Sequence, residues 1–208
     1  MFSILSKKMN LVNDIPITND DYAHVNCIIE IPKGTNTKYE YNEKLNIFEL
    51  TRCLVSSLQY PINYGFIPRT IALDNDPLDV LVFNHDPIDR GTLVSCRILG
   101  MLGFEDDGEI DNKLIAVPHW SPKERYNKLH DIEPEHLKIF RQFFKIYKLD
   151  RKSTTKVGDW KSSSIAIKTL KESYERWRVG SKERFQEEWS EKQFWYKIKE
   201  KGYIVQPD

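Results

Sequence analysis

An α+β fold is what this 208-residue sequence predicts, and three features predict it. Short apolar, β-branched runs separated by turn residues fill the first 120 positions or so. Helical spacing of apolar residues replaces them further on. The hydrophobic content of 40% is enough to pack one core, with a length suited to one domain of about 150 residues and some extension. Five or six short strands at this spacing suggest a small antiparallel sheet or barrel, with helices packed outside it.

Taken in order, Met1 to Asn10 holds Phe2, Ile4 and Leu5 before Lys7 and Lys8, too short an apolar run for a signal peptide. Val25 to Ile31 (VNCIIEI) is the first strand. Lys38 to Asn42 and Asn46 to Leu50 form a pair across a short polar turn. Tyr60 to Phe66 places two tyrosines around a tight turn. Asp79 to Phe83, Thr92 to Leu102 and Lys113 to Val117 complete the strands. Leu137, Phe140, Phe144 and Tyr147 then fall on one face of a helix starting near Pro134. Ile167, Leu170, Tyr174 and Trp177 repeat that spacing, with Ser162 to Ser164 as cap candidates. The division expected is an extension at 1–20, a single domain at 21–180 and a last segment at 181–208. Within the domain, the barrel spans about 25–118 and the helices about 134–179. The last segment, with six basic and six acidic residues among its aromatics, reads as a charged helix docked on its own domain.

Composition excludes several classes. Thirty-one basic residues balance thirty-one acidic ones, so a nucleic-acid binder or an acidic-membrane binder is not expected. Cys27, Cys53 and Cys96 form no C-x-x-C pair, and reduced thiols in the cytoplasm are the simplest reading. The longest uncharged run, Cys53 to Pro68, is broken by Gln59, Pro61, Asn63 and Gly65, so no membrane span is expected. P-loop, dinucleotide and G-x-S-x-G motifs are absent, and the five histidines lack paired zinc spacing.

The chemistry concentrates in Asp74-Asn75-Asp76-Pro77-Leu78-Asp79, three carboxylates in six residues between apolar runs. Two carboxylates ~5 Å apart repel by roughly 3 kcal/mol at an effective dielectric of about 20. A hard divalent cation offsets that, and Mg²⁺ takes carboxylates together with substrate phosphates. A solvated acidic turn is the plainer alternative. Glu105 to Lys113 is a second acidic turn beside strands, and Glu30 is an acid inside an apolar strand, a costly position unless partnered. Lys38, Arg52, Lys113, Tyr147 and Lys148 supply groups for an anion. Acid clusters with such partners suit a metal–phosphate site.

These residues carry a resemblance. Asp74 to Val80 is similar to the complete D-[SGDN]-D-P-[hydrophobic]-D-[hydrophobic] signature of the family I soluble inorganic pyrophosphatases. Ile28 to Pro32, Lys38 to Glu40, Asn63 to Gly65, Asp106 to Lys113 and Phe143 to Lys148 follow in the family's order. The resemblance implies a five-stranded closed antiparallel barrel of OB type with flanking C-terminal helices. It implies Mg²⁺-dependent hydrolysis of diphosphate by a metal-activated water attacking in line, with several ions per site and Mn²⁺ or Zn²⁺ as substitutes. Asp74, Asp79, Asp106 and Asp111 would be metal ligands, and Asp76 would take the proton of the water. Lys38, Arg52, Tyr64, Lys113, Tyr147 and Lys148 would contact diphosphate, with Glu30, Glu40 and Tyr60 supporting them. A homo-oligomer is implied. The short path from Gly65 to Asp74 resembles bacterial members and favours a hexamer over a dimer. Two other readings use the same residues. A haloacid-dehalogenase-type phosphohydrolase would use Asp74 as nucleophile, but Pro77 stands where Thr or Val belongs. An OB-type binding module without catalysis would need a basic groove.

Overall fold

A computed structural model describes residues 9–18, 22, 24–55, 57–122 and 125–180. In chain order the strands are β1 (Val25–Ile31), β2 (Thr37–Asn42), β3 (Ile47–Cys53), β4 (Asn63–Phe66), β5 (Asp79–Val82), β6 (Leu93–Asp106), β7 (Glu109–Ile110), β8 (Lys113–Pro118) and β9 (Thr155–Ser162). Helix α1 (Pro134–Ile146) precedes β9, and helix α2 (163–180) follows it. The expected segment 181–208 lies outside the described residues, as do 1–8, 19 and 20 of the expected extension.

Five strands pair in a ring. β1 pairs with β4, β4 with β5, β5 with β8, β8 with β6, and β6 returns to β1. The expectation of a wholly antiparallel arrangement is corrected at one seam, where β5 and β8 run parallel. Parallel neighbours need a long crossover, and β6 and β7 supply it. Every residue of β1, β4 and β8 is buried, because these strands have packed side chains on both faces. Cys27, Ile29, Val80 and Val94 meet inside one core. Ile31, Leu81, Leu102 and Ile115 meet Phe140 and Phe144 of α1 in another.

Two further expectations are corrected. The chain does bend between the two tyrosines, at Pro61 and Ile62, but from Asn63 to Phe66 it is the strand β4 and not part of a turn. Asn63 and Gly65 mimic turn residues. Gly65 is there because a Cβ would stand 1.8 Å from the Ile28 carbonyl oxygen, so no side chain fits. Nor does the chain become wholly helical after residue 120. β9 returns to pair with β6, placing Val157 opposite Phe104 and Trp160 opposite Leu102. That partner, with β7, lets β6 run on past Leu102 to Asp106.

β2 and β3 pair only with each other, as a separate two-stranded sheet. Residues 9–18 pack Val12 and Ile15 against Ile28 and Phe66, and the Asn26 N–H donates to the Ile17 carbonyl at 2.8 Å. Among the described residues, no helix is long and apolar enough to cross a membrane.

Candidate active site

The loop between β4 and β5 carries the first acid cluster. Its neck is closed by Ile67 N–H donating to the Leu78 carbonyl (2.9 Å). Leu78 N–H donates to the Thr70 hydroxyl (2.8 Å). A crossbar from Ala72 N–H to the Asp76 carbonyl (2.7 Å) tightens it. Asp76 N–H donates to Asp74 Oδ1 at 3.1 Å, and Asn75 sits at φ +70°, a left-handed conformation that Asn tolerates. Both carboxylates are thus held on one side of a tied loop.

A bulge in β1 aims the next acid. Ile29 opposes Gly65 and Ile31 opposes Tyr64, so Glu30 is the extra residue between them. It is 7% exposed, and its Oε1 accepts the Tyr41 N–H at 2.8 Å. Burial pushes its carboxyl up to about 8.

Lys113, 1% exposed at the start of β8, is the charge centre. Its Nζ donates to Asp79 Oδ2 at 2.6 Å and to both Asp111 oxygens at 2.9 Å. The Phe104 ring lies 4.7 Å from the same nitrogen. Burial pulls this ammonium down, but Asp79 and Asp111 outweigh it and raise it. Tyr64 hydrogen-bonds Asp79, and its hydroxyl is raised by burial and by that carboxylate. Burial pushes the Asp111 carboxyl up to about 7, against the pull of Lys113. Asp74 and Asp76 are also raised, first by burial, and Asp76 next by Asp74 beside it.

The second acidic turn joins β6 to β7 through Asp107 and Gly108, both at positive φ, as a tight hairpin needs. It presents Asp106, which pairs with Lys148 just beyond α1 and accepts the Ser153 hydroxyl at 3.1 Å. Tyr147 caps α1, and burial raises its hydroxyl.

One cavity of about 540 Å³ collects these groups. Thirteen of the fourteen residues expected from the sequence line it: the five aspartates, Glu30, Glu40, Lys38, Tyr60, Tyr64, Lys113, Tyr147 and Lys148. Arg52 does not line it. Its guanidinium is 8% exposed, lies 5.3 Å from the Tyr147 ring centroid and acts on the Tyr60 hydroxyl, with no carboxylate in hydrogen-bond contact among the described residues. Lys38 and Glu40 pair on β2. Asp107, Glu109 and Glu49 also line the cavity. The first two were visible only as members of an acidic turn. Glu49 stands in an exposed stretch of β3 with Leu50 and Thr51 and gave no signal, and neither did Ser153, which follows Asp106 by 47 residues.

Ten acids against three lysines line the cavity among the described residues. Such a wall repels a polyanion unless cations are added. Carboxylate oxygens are the donors that hard divalent ions take, so this set fits Mg²⁺. Among the described residues no three His, Cys, Asp or Glu groups converge as a ready-made cage. Lys113 and Lys148 instead hold Asp79, Asp111 and Asp106. An acid-lined cavity is also the reverse of a base-stacking groove.

Residues 27–178 match the family described as inorganic pyrophosphatase. The inorganic pyrophosphatase of Aquifex pyrophilus is 36% identical over 173 residues, 81% of this chain and 98% of the relative. The crystal structure of the inorganic pyrophosphatase from Thermus thermophilus superposes with a TM-score of 0.78 at 31% identity. It covers 82% of this chain and 99% of its own. The corresponding structure from Neisseria gonorrhoeae gives a TM-score of 0.74 at 39% identity, over 79% and 97%. With its fold, its acid-lined cavity and these relatives in agreement, the chain belongs to the inorganic pyrophosphatase family.

Proposed function

We propose that this chain hydrolyses inorganic diphosphate to two phosphates, at the cavity between the β4–β5 loop and the β2–β3 hairpin. The observation that carries the reading is the gathering of Asp74, Asp76, Asp79, Asp106 and Asp111 on one cavity with Lys38, Lys113 and Lys148. Diphosphate is a compact polyanion, so charge is its main catalytic problem. Asp74, Asp79, Asp106 and Asp111 would hold Mg²⁺, several ions per site. When bound, Mg²⁺ neutralises charge and makes water more acidic.

The chain's own groups do the rest. Asp76, raised by burial and by its acid neighbours, accepts the proton of the attacking water. Attack is in line, and no covalent enzyme intermediate forms. Lys113 keeps its proton, so it offers a fixed cation to the phosphates. Lys38, Arg52, Lys148, Tyr64 and Tyr147 complete the contacts, and the cations stabilise the leaving phosphate. Arg52 brings a buried guanidinium with no carboxylate partner among the described residues, which an anion would satisfy. Glu30 and Glu40 stand behind these groups, with Tyr60 below Tyr64 at 5.8 Å between ring centroids.

The five-strand ring is read as a closed OB-type barrel, with residues 21–180 as one domain and 181–208 as an addition to it. The assembly is read as a homo-oligomer, a hexamer rather than a dimer, working in the cytoplasm without nucleic-acid or membrane partners. Light scattering on the purified chain tests the assembly. Phosphate release from diphosphate, with Mg²⁺ and with EDTA, tests the activity. Release that requires Mg²⁺ is expected. No release at millimolar Mg²⁺ would overturn the reading.

A further inference from the structure

The two lips of the cavity are built separately. One is the acid loop of residues 67–78, and the other is the β2–β3 hairpin. The end of α2 reaches both. Arg176 Nε donates to the Ile71 carbonyl at 2.8 Å, and its Nη2 donates to the Ser173 hydroxyl at 2.9 Å. Ile71 N–H donates to the Ser173 carbonyl at 3.0 Å. Through these bonds the acid loop hangs from α2.

One residue further on, the Trp177 indole N–H donates to Asn13 Oδ1 at 2.8 Å. Asn13 donates from Nδ2 to Glu43 Oε2 at 2.9 Å, and Glu43 lies in the turn of the hairpin. Asn10 adds a bond to the Glu43 carbonyl at 3.1 Å, and Leu11 N–H donates to the Tyr41 hydroxyl at 3.0 Å. Arg69, at the base of the acid loop, closes the circuit. It donates to the Asn13 and Asp14 carbonyls, each at 3.2 Å, and its guanidinium lies 5.4 Å from the Trp177 ring centroid. Asn13, Arg176 and Trp177 do not line the cavity. An isolated two-stranded sheet is marginal on its own, so the position of Lys38 depends on what the hairpin is tied to.

We propose that the end of α2 is a clamp that sets the width of the cavity, with Arg176 positioning the acid loop and Trp177, through Asn13, positioning the hairpin. The kinetic part of this proposal rests on the diphosphatase reading. Both are positioning residues, since neither meets the substrate. A shift of a few tenths of an ångström in either lip changes how well the phosphates are gripped while the chemistry is kept.

The test uses the full chain and four variants. Trp177→Phe keeps a packed ring and removes one N–H. It should raise KM for diphosphate by about 3–10-fold, the worth of one hydrogen bond, with kcat within about twofold. It should also speed amide exchange over residues 37–53 in the metal-free chain. Arg176→Met should raise the Mg²⁺ concentration for half-activation by a similar about 3–10-fold and speed exchange over residues 70–76. Arg176→Lys should recover part of both. Lys168→Gly, 77% exposed on the same helix, weakens α2 through its backbone and should lower Tm with KM, Mg²⁺ requirement and exchange of both lips unchanged. Variants of Trp177 and Arg176 that behave like Lys168→Gly would overturn the clamp. Should the wild type release no phosphate, the activity reading falls instead, and the two exchange measurements decide the clamp alone.

Discussion

The floor of the cavity and its hairpin wall carry charge in opposite ways. Asp79 and Lys113 sit on β5 and β8, inside the ring, where each strand has a partner on both sides. Lys113 is buried and fully engaged by two carboxylates. The hairpin pairs only with itself, most of β3 is exposed, and its buried Arg52 meets Tyr60 and Tyr147 but no carboxylate among the described residues. A buried charge with partners is part of the fold. A buried charge without them costs free energy that a bound anion can recover. Under the proposed function the ring thus supplies charges already paired in the fold, and the hairpin adds the Arg52 guanidinium to them for the substrate.

The largest effect tests the acid loop that leads into the floor. Asp76→Asn keeps shape and removes the proposed proton acceptor. It should cut kcat by about 10²–10⁴ while KM for diphosphate changes little. A loss of less than a few-fold would take the base role away from Asp76.

Next comes the partnered charge. Lys113→Met should leave Asp79 and Asp111 facing each other without a cation. A loss of about 3–5 kcal/mol in unfolding free energy is expected in EDTA, measured by denaturant titration. Adding Asp111→Asn should return part of it, since one of the two repelling charges is gone. Equal stability in wild type and Lys113→Met would mean the buried cation carries no structural role.

Arg52→Met sharpens the contrast from the other side. Its guanidinium gives up no carboxylate partner and at most a bond to the Tyr60 hydroxyl, so stability should change by no more than about 1 kcal/mol. KM for diphosphate should nevertheless rise by about 10-fold or more, as an anion contact is lost. Destabilisation with an unchanged KM would reverse the comparison and make Arg52 the structural charge.

The floor and the acid loop were more legible in the sequence than the hairpin. Asp74 to Asp79 and Lys113 stand beside apolar runs, so their cost of burial could be inferred from neighbours. The strands β1, β5 and β8 read as near-continuous apolar runs because both faces are covered. β4 was hidden because Gly65 answers to a backbone contact 37 residues upstream, which local pattern cannot express. β9 was hidden because Gly158 and five charged or polar neighbours interrupt its apolar pattern, and its pairing with β6 is decided far away in sequence. Ser153 meets Asp106, and Asn13 meets Trp177, across separations of 47 and 164 residues. Only the folded chain brings those pairs together.

The smallest effect lies at the join between floor and wall. Glu30 belongs to β1 but bonds to the hairpin through the Tyr41 N–H. Burial is the main cause that raises it to about 8; Asp79 and Glu40 add to the rise, while the Tyr41 bond and Lys38 oppose it. In the unfolded chain it titrates near its ordinary 4.5. Between those values the folded state keeps a proton that the unfolded state has released. Stability from this group is therefore complete below pH 4.5 and is lost progressively as pH rises towards about 8. Glu30→Gln keeps an acceptor for Tyr41 and never ionises. In EDTA it should match the wild type near pH 5 and become more stable above it. The gap should widen by at most about 1.4 kcal/mol per pH unit up to pH ~8 and then level off. Denaturant titrations of both proteins at pH 5.5, 6.5, 7.5 and 8.5 measure that slope. Parallel curves would mean that Glu30 is already ionised in the folded chain, and that the hairpin is held at this point by a carboxylate rather than by a neutral acid.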